Sequence, residues 1–124
     1  MVAALDDIVR RMIDAGACRF LIPNLPNLGL TPAVAAFGTA MVHSAQRLTL
    51  AYNHALKRML ARWNGSRLAE LVLADVYAEV QRMVEGRSEA GASRLLFHDA
   101  MHPAASVHRH IATIAARAIL HGRE

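Results

Sequence analysis

The sequence predicts an α/β fold, rich in helix, with parallel strands. Three observations lead there. Two short apolar runs, at residues 18–22 and 68–76, lack helical period, and segments of helical period flank both. The stretch between them is a single long amphipathic helix, the connection that a right-handed crossover between parallel neighbours requires. Two strands alone leave an apolar edge bare, and the chain opens on a helix that leads straight into a buried strand. The pattern is that of a doubly wound fold entered halfway through.

Residues 1–15 place Val2, Leu5, Val9, Met12 and Ile13 at helical spacing, with Asp6 and Asp7 early and Arg10 and Arg11 late, matching the helix dipole. Gly16 closes this helix as a left-handed cap. The apolar run Cys18-Arg19-Phe20-Leu21-Ile22 stops at Pro23 and reads as a strand. Residues 24–32 hold three turn-forming residue types and read as loop. From Ala33 the helical period returns through Val34, Phe37, Met41, Ala45, Leu48, Tyr52, Leu56, Met59 and Trp63, and Asn64-Gly65 is its expected end. The second strand centres on Leu71-Val72-Leu73. A short helix then fills residues 76–85 and ends at Gly86, residues 87–93 read as polar loop, and Leu95-Leu96-Phe97 leads into a His- and Asp-containing segment. The last helix starts near Ala104 and carries Val107, Ile111, Ile114 and Ala118 on one face.

At 124 residues, 54% hydrophobic and 19% charged, the chain is one domain or part of one and too apolar for disorder. Its longest uncharged apolar stretches fall short of the roughly 18 residues that span a bilayer, so no membrane span is expected. The acidic start Met1-Val2-Ala3-Ala4-Leu5-Asp6-Asp7 is unlike an export signal, and the compartment stays unassigned. One cysteine, Cys18, excludes an internal disulfide and any multi-cysteine zinc site. The net charge of +4 comes from thirteen arginines and Lys57 scattered along the chain. With only 5% aromatic residues and no concentrated basic stripe, nucleic-acid binding is disfavoured. Met12, Met41, Met59, Met83 and Met101 read as core filler or loop packing, and His43 and His54 as surface or boundary residues.

Open α/β sheets carry their sites in loops beyond the carboxyl ends of the strands, which singles out residues 24–32 and the segment ending at Pro103. Only the second holds titratable groups. Asp99 and His102 are three residues apart, a spacing that lets a turn fold the carboxylate onto the imidazole Nδ1 and leave Nε2 as a general base. Pro103 then stiffens the start of the last helix. In this composition the Asp-x-x-His-Pro pattern arises by chance with a frequency of about 0.009. The plain alternative is a loop aspartate capping the final helix beside an exposed histidine.

Three segments carry a resemblance. Phe20-Leu21-Ile22-Pro23-Asn24-Leu25-Pro26-Asn27-Leu28-Gly29-Leu30-Thr31-Pro32, then Val72-Leu73-Ala74-Asp75-Val76-Tyr77, then Phe97-His98-Asp99-Ala100-Met101-His102-Pro103 with His108 beyond, together resemble the C-terminal half of a GDSL-type esterase/lipase of the SGNH hydrolase superfamily, in its acylhydrolase and phospholipase branch. The resemblance covers most of the chain. It implies that residues 1–124 form a single partial domain, the C-terminal portion of a three-layer α/β/α sandwich. It also implies ester hydrolysis through an acyl-enzyme, with Asp99 orienting His102 and His102 activating a serine. No cofactor or metal is implied. The sequence departs from the family at Asn27, usually Asp, at Ala104, usually Thr or Ser, and at His98, often aromatic, while residues 85–94 are shorter than usual. The family's Gly-Asp-Ser nucleophile and Gly-x-Asn-Asp oxyanion motifs do not occur. Ser44, Ser66, Ser88, Ser93 and Ser106 match neither context, so the chain resembles a hydrolase truncated before its first catalytic block.

His98, Asp99, His102, His108 and His110 cluster within thirteen residues. His108 and His110 diverge on one helix, and Pro103 breaks any helical pairing of His98 with His102, so the spacing argues against a metal. Three readings remain: the Asp/His half of a serine ester hydrolase, acting on an ester or lipid once a nucleophile segment complements it; a non-catalytic remnant whose exposed sheet edge binds a partner or a second copy; and, last, a small basic nucleic-acid binder.

Overall fold

A computed structural model describes residues 1–122. In chain order the elements are α1 (Val2–Asp14), β1 (Arg19–Pro23), a 3-10 turn (Leu28–Leu30), α2 (Pro32–Ala35), α3 (Thr39–Ser66), β2 (Glu70–Ala74), α4 (Val76–Val84), α5 (Glu89–Leu96) and α6 (Ala105–His121). β1 and β2 pair in parallel, Arg19 opposite Glu70 and Pro23 opposite Ala74. Parallel neighbours cannot be joined by a tight turn, and α3 supplies the crossover.

The period of two along each strand divides its side chains between two helical layers. Phe20, Ile22, Leu71 and Leu73 pack with Val9 of α1 and with Leu56, Met59 and Leu60 of α3. Leu21 and Val72 point the other way, toward Ile119 of α6. The first side is the better filled. Leu56 and Met59 are fully buried, each contributing about 1.5–3 kcal/mol relative to exposure. A second apolar cluster of Val76, Val80, Leu96 and Val107 ties α4, α5 and α6 together.

The two edges of the sheet differ. Leu71 donates its backbone N–H to Asn64 Oδ1 at 2.8 Å and accepts from Asn64 Nδ2 at 2.9 Å, so one side-chain amide stands in for a peptide of a further strand. On the β1 side Leu21 is 37% exposed.

Several expectations require correction. The long helix does not run unbroken from Ala33, because Gly38 adopts φ +94°, a conformation that L-residues with a side chain rarely take, and the chain restarts at Thr39. Phe37 is thereby detached from the apolar stripe and is 78% exposed; Met41 and Leu48 are exposed too. The buried face of α3 is Thr49, Leu56, Met59 and Leu60. Asn64-Gly65 does not end the helix, since the Asn64 side chain is engaged by Leu71 and the turn comes at Arg67, in the left-handed region. Residues 87–93 are not all loop: the Ser88 hydroxyl accepts from the Gly91 N–H at 3.1 Å and caps α5. Met59 is core and Met83 packs beside the second cluster, but Met12, Met41 and Met101 are exposed.

Candidate active site

The post-β1 loop is built by side chains that satisfy its backbone. Asn24, nearly buried, donates its amide to Asp75 Oδ1 at 2.8 Å and accepts the Tyr77 N–H at 2.8 Å, tying the end of β1 to the start of α4. Asp75 in turn caps α4 through the Ala78 N–H. Asn53 of α3 brackets Leu25, accepting from its N–H and donating to its carbonyl. The buried Thr49 hydroxyl accepts from the Leu28 N–H at 3.2 Å and donates to the Ala45 carbonyl. Asn27 Oδ1 accepts from the Gly29 N–H and caps the 3-10 turn, a task within reach of either an amide or a carboxylate oxygen. The departure at Asn27 therefore leaves the turn intact.

The segment ending at Pro103 does not follow a strand of the sheet directly, as the sequence suggested. It follows α5, and a single antiparallel bridge between Phe97 and Pro103 draws its ends together. His98 donates its N–H to the His102 carbonyl, and Ala104 donates its own to the Leu96 carbonyl, both at 2.8 Å. The loop is tied to α2 by a bond from the Ala33 N–H to the Ala100 carbonyl at 2.9 Å.

Inside it, Asp99 Oδ1 accepts the N–H groups of Met101 at 2.8 Å and His102 at 2.7 Å, while Oδ2 lies 2.7 Å from His102 Nδ1. The His102 backbone N–H, then that of Met101, then the imidazole hold the Asp99 carboxyl well below the usual carboxylate range. Asp99 is therefore an anion that fixes both the turn and the ring. With Nδ1 engaged and the ring 79% exposed, Nε2 is open to a proton donor from outside. An apolar cavity of about 140 Å³ is walled by Leu28, Leu30, Leu96 and Val107 and bordered by Met101 and Pro103, the chain neighbours of His102, although neither Asp99 nor His102 lines it.

No serine hydroxyl hydrogen-bonds His102 among the described residues; Ser66 donates to the Trp63 carbonyl and Ser88 caps a helix. Of the five clustered His and Asp residues, the fold unites only Asp99 and His102. No group of three or more His, Cys, Asp or Glu side chains among the described residues is arranged to hold a metal. His110 goes elsewhere, to a pairing that the local sequence does not announce: its Nδ1 lies 2.7 Å from Oε1 of Glu79, a buried carboxylate on α4. Among the described residues no helix is long and apolar enough to cross a membrane. No family model and no curated protein matches this sequence, so the likeness to GDSL-type hydrolases rests on the motifs of the chain itself.

Proposed function

We propose that this chain is the acid–base portion of a serine ester hydrolase of the GDSL type, the C-terminal part of a three-layer α/β/α domain whose nucleophile lies outside these 124 residues. The observation that carries the reading is the Asp99–His102 geometry: a carboxylate held on Nδ1 and an exposed ring with its Nε2 free, in a loop whose Met101 and Pro103 border an apolar cavity. In the reaction, His102 Nε2 takes the proton of an incoming serine as its oxygen attacks the ester carbonyl, then returns it to the leaving alcohol. Water repeats the cycle on the acyl-enzyme. Asp99 keeps the ring in the productive tautomer and supports the imidazolium. Leu28, Leu30 and Met101 offer an apolar acyl chain a surface.

The chain by itself has nothing for His102 to activate but water, and without oxyanion donors it loses a further factor of about 10²–10³. Joining it to a segment bearing Gly-Asp-Ser and Gly-x-Asn-Asp, fused or co-expressed, should produce hydrolysis of short acyl esters that His102→Ala abolishes. Rapid turnover by the 124-residue chain alone, or complemented turnover indifferent to His102→Ala, would refute this assignment. A second reading, a non-catalytic remnant that binds a partner through its sheet, draws support from the exposed Leu21 on the β1 side. It predicts that complementation restores binding and no turnover.

A further inference from the structure

A second, polar groove runs between α4 and α6 and shares no residue with the apolar cavity bordered by Met101 and Pro103. Its volume is about 400 Å³. Along α6, Arg109, His110 and Arg117 recur at helical spacing on one side, and α4 opposes them with Glu79 and Arg82. The groove thus gathers three guanidinium groups and an imidazole around a single carboxylate.

That carboxylate is already committed. Glu79 is only 7% exposed, its Oε1 engages His110 Nδ1, and its Oε2 pairs with Arg82. A buried carboxylate is costly unless cations are held close to it. Glu79 therefore accounts for Arg82 and for the orientation of His110. It does not account for Arg109 and Arg117, which pair with no carboxylate among the described residues. Their charges, and the outward Nε2 of His110, face an open groove.

We propose that this groove binds the phosphate group of a small anionic ligand. Arg109 and Arg117 make the principal contacts, and the buried Glu79–His110 pair fixes the imidazole as a further ligand. Planar guanidinium forks match phosphate oxygens two at a time, and the neighbouring Ser106 hydroxyl adds a neutral donor. Size and composition select a small ligand over a nucleic-acid strand. The groove has no Phe, Tyr or Trp on which a base could stack, and its cationic groups form one short cluster.

Titration of the 124-residue protein with inorganic phosphate, and separately with glycerol 3-phosphate, at constant ionic strength tests this, followed by calorimetry and by backbone amide shifts. Saturable binding is expected, with shifts confined to α4 and α6. The double variant Arg109→Gln/Arg117→Gln, both exposed positions, should weaken it by at least about tenfold while circular dichroism stays unchanged. Arg10→Gln/Arg11→Gln on α1 should bind as the parent does. Tighter binding of the monoester identifies a phosphorylated metabolite as the ligand class, and equal binding identifies the free anion. Linear, unsaturated shifts, equal weakening by both double variants, or stronger competition at this groove by a short RNA oligomer would each overturn the proposal.

Discussion

Asp99 and His102 lie three residues apart in one loop, whereas Glu79 and His110 lie 31 apart on two helices, yet in both pairs Nδ1 sits 2.7 Å from a carboxylate oxygen. Burial separates them. The Asp99 and His102 side chains are 49% and 79% exposed, and Asp99 relies for its ionisation on backbone N–H groups supplied by its own turn. Glu79 is buried between α4 and α6, and its partners are Arg82, one turn along α4, and the half-exposed His110 from another helix. A water-facing pair can trade protons with a visiting molecule at little cost to the fold. A pair with a buried carboxylate is chiefly a joint between helices, and its free chemistry is whatever its exposed rim offers.

The largest effect that can sharpen this contrast is on turnover. In the complemented hydrolase, Asp99→Asn keeps an oxygen to accept the Met101 and His102 N–H groups, so the loop persists, but it loses the anion that sets the ring. Activity should fall by about 10²–10⁴ with only a small drop in the thermal transition. An equal loss of stability would show that the exposed pair is a structural joint after all.

Stability gives the next effect, and it should appear at the other pair. His110→Ala strips a buried carboxylate of its hydrogen-bonded partner and should cost about 1–2 kcal/mol by urea denaturation. The same exchange at His102 should leave the midpoint where it was. Reversal of that order would break the comparison.

Acid titration follows. A carboxylate whose folded value lies below its unfolded one contributes stability in full above the usual aspartate range and loses it as the pH falls through the folded value. The amides of Met101 and His102 should accordingly hold their chemical shifts down through the ordinary aspartate range and move only below it. Movement centred in the ordinary range would mean that the turn does not grip the anion.

The smallest expected effect is at Ala104. It occupies the N-cap of α6 in extended conformation with no side-chain cap bond, so Ala104→Ser should add about 0.5–1 kcal/mol by supplying one to the helix that carries His110. Calorimetric melting reads it directly.

Most of the strand framework was legible in the sequence. An apolar run halted by Pro23 and another centred on Leu71-Val72-Leu73 mark β1 and β2, and the length of the intervening helix implies parallel pairing. Asp99 and His102 were legible for a similar reason: a turn three residues long is a local event, and Asp is suited to closing it through its own side chain. What escaped depends on distance. Nothing near Glu79 announces a partner 31 residues on, because two helices must first dock along Val80 and Val107. Asn64 reads as a helix stop by composition, but Leu71 claims its amide. Gly38 looks like a tolerable interior glycine until its backbone turns out to be left-handed. The cap at Ser88 was visible in principle, yet the small residues behind it have too little apolar period to reveal a helix. The segments resembling GDSL-type hydrolases supply the rest of the functional argument, and that part awaits the complementation experiment.

The Asn64 bracket on Leu71 also bears on how the β2 edge can meet another strand. An amide that fills both outward hydrogen-bonding groups of Leu71, the second of the five β2 residues, interrupts the ladder a newcomer could build along that edge. A sheet with two open sides can add neighbours without limit and grow into a fibre. An interruption at Leu71 works against such growth from the β2 side, because an added strand would lose its hydrogen bonds at that residue.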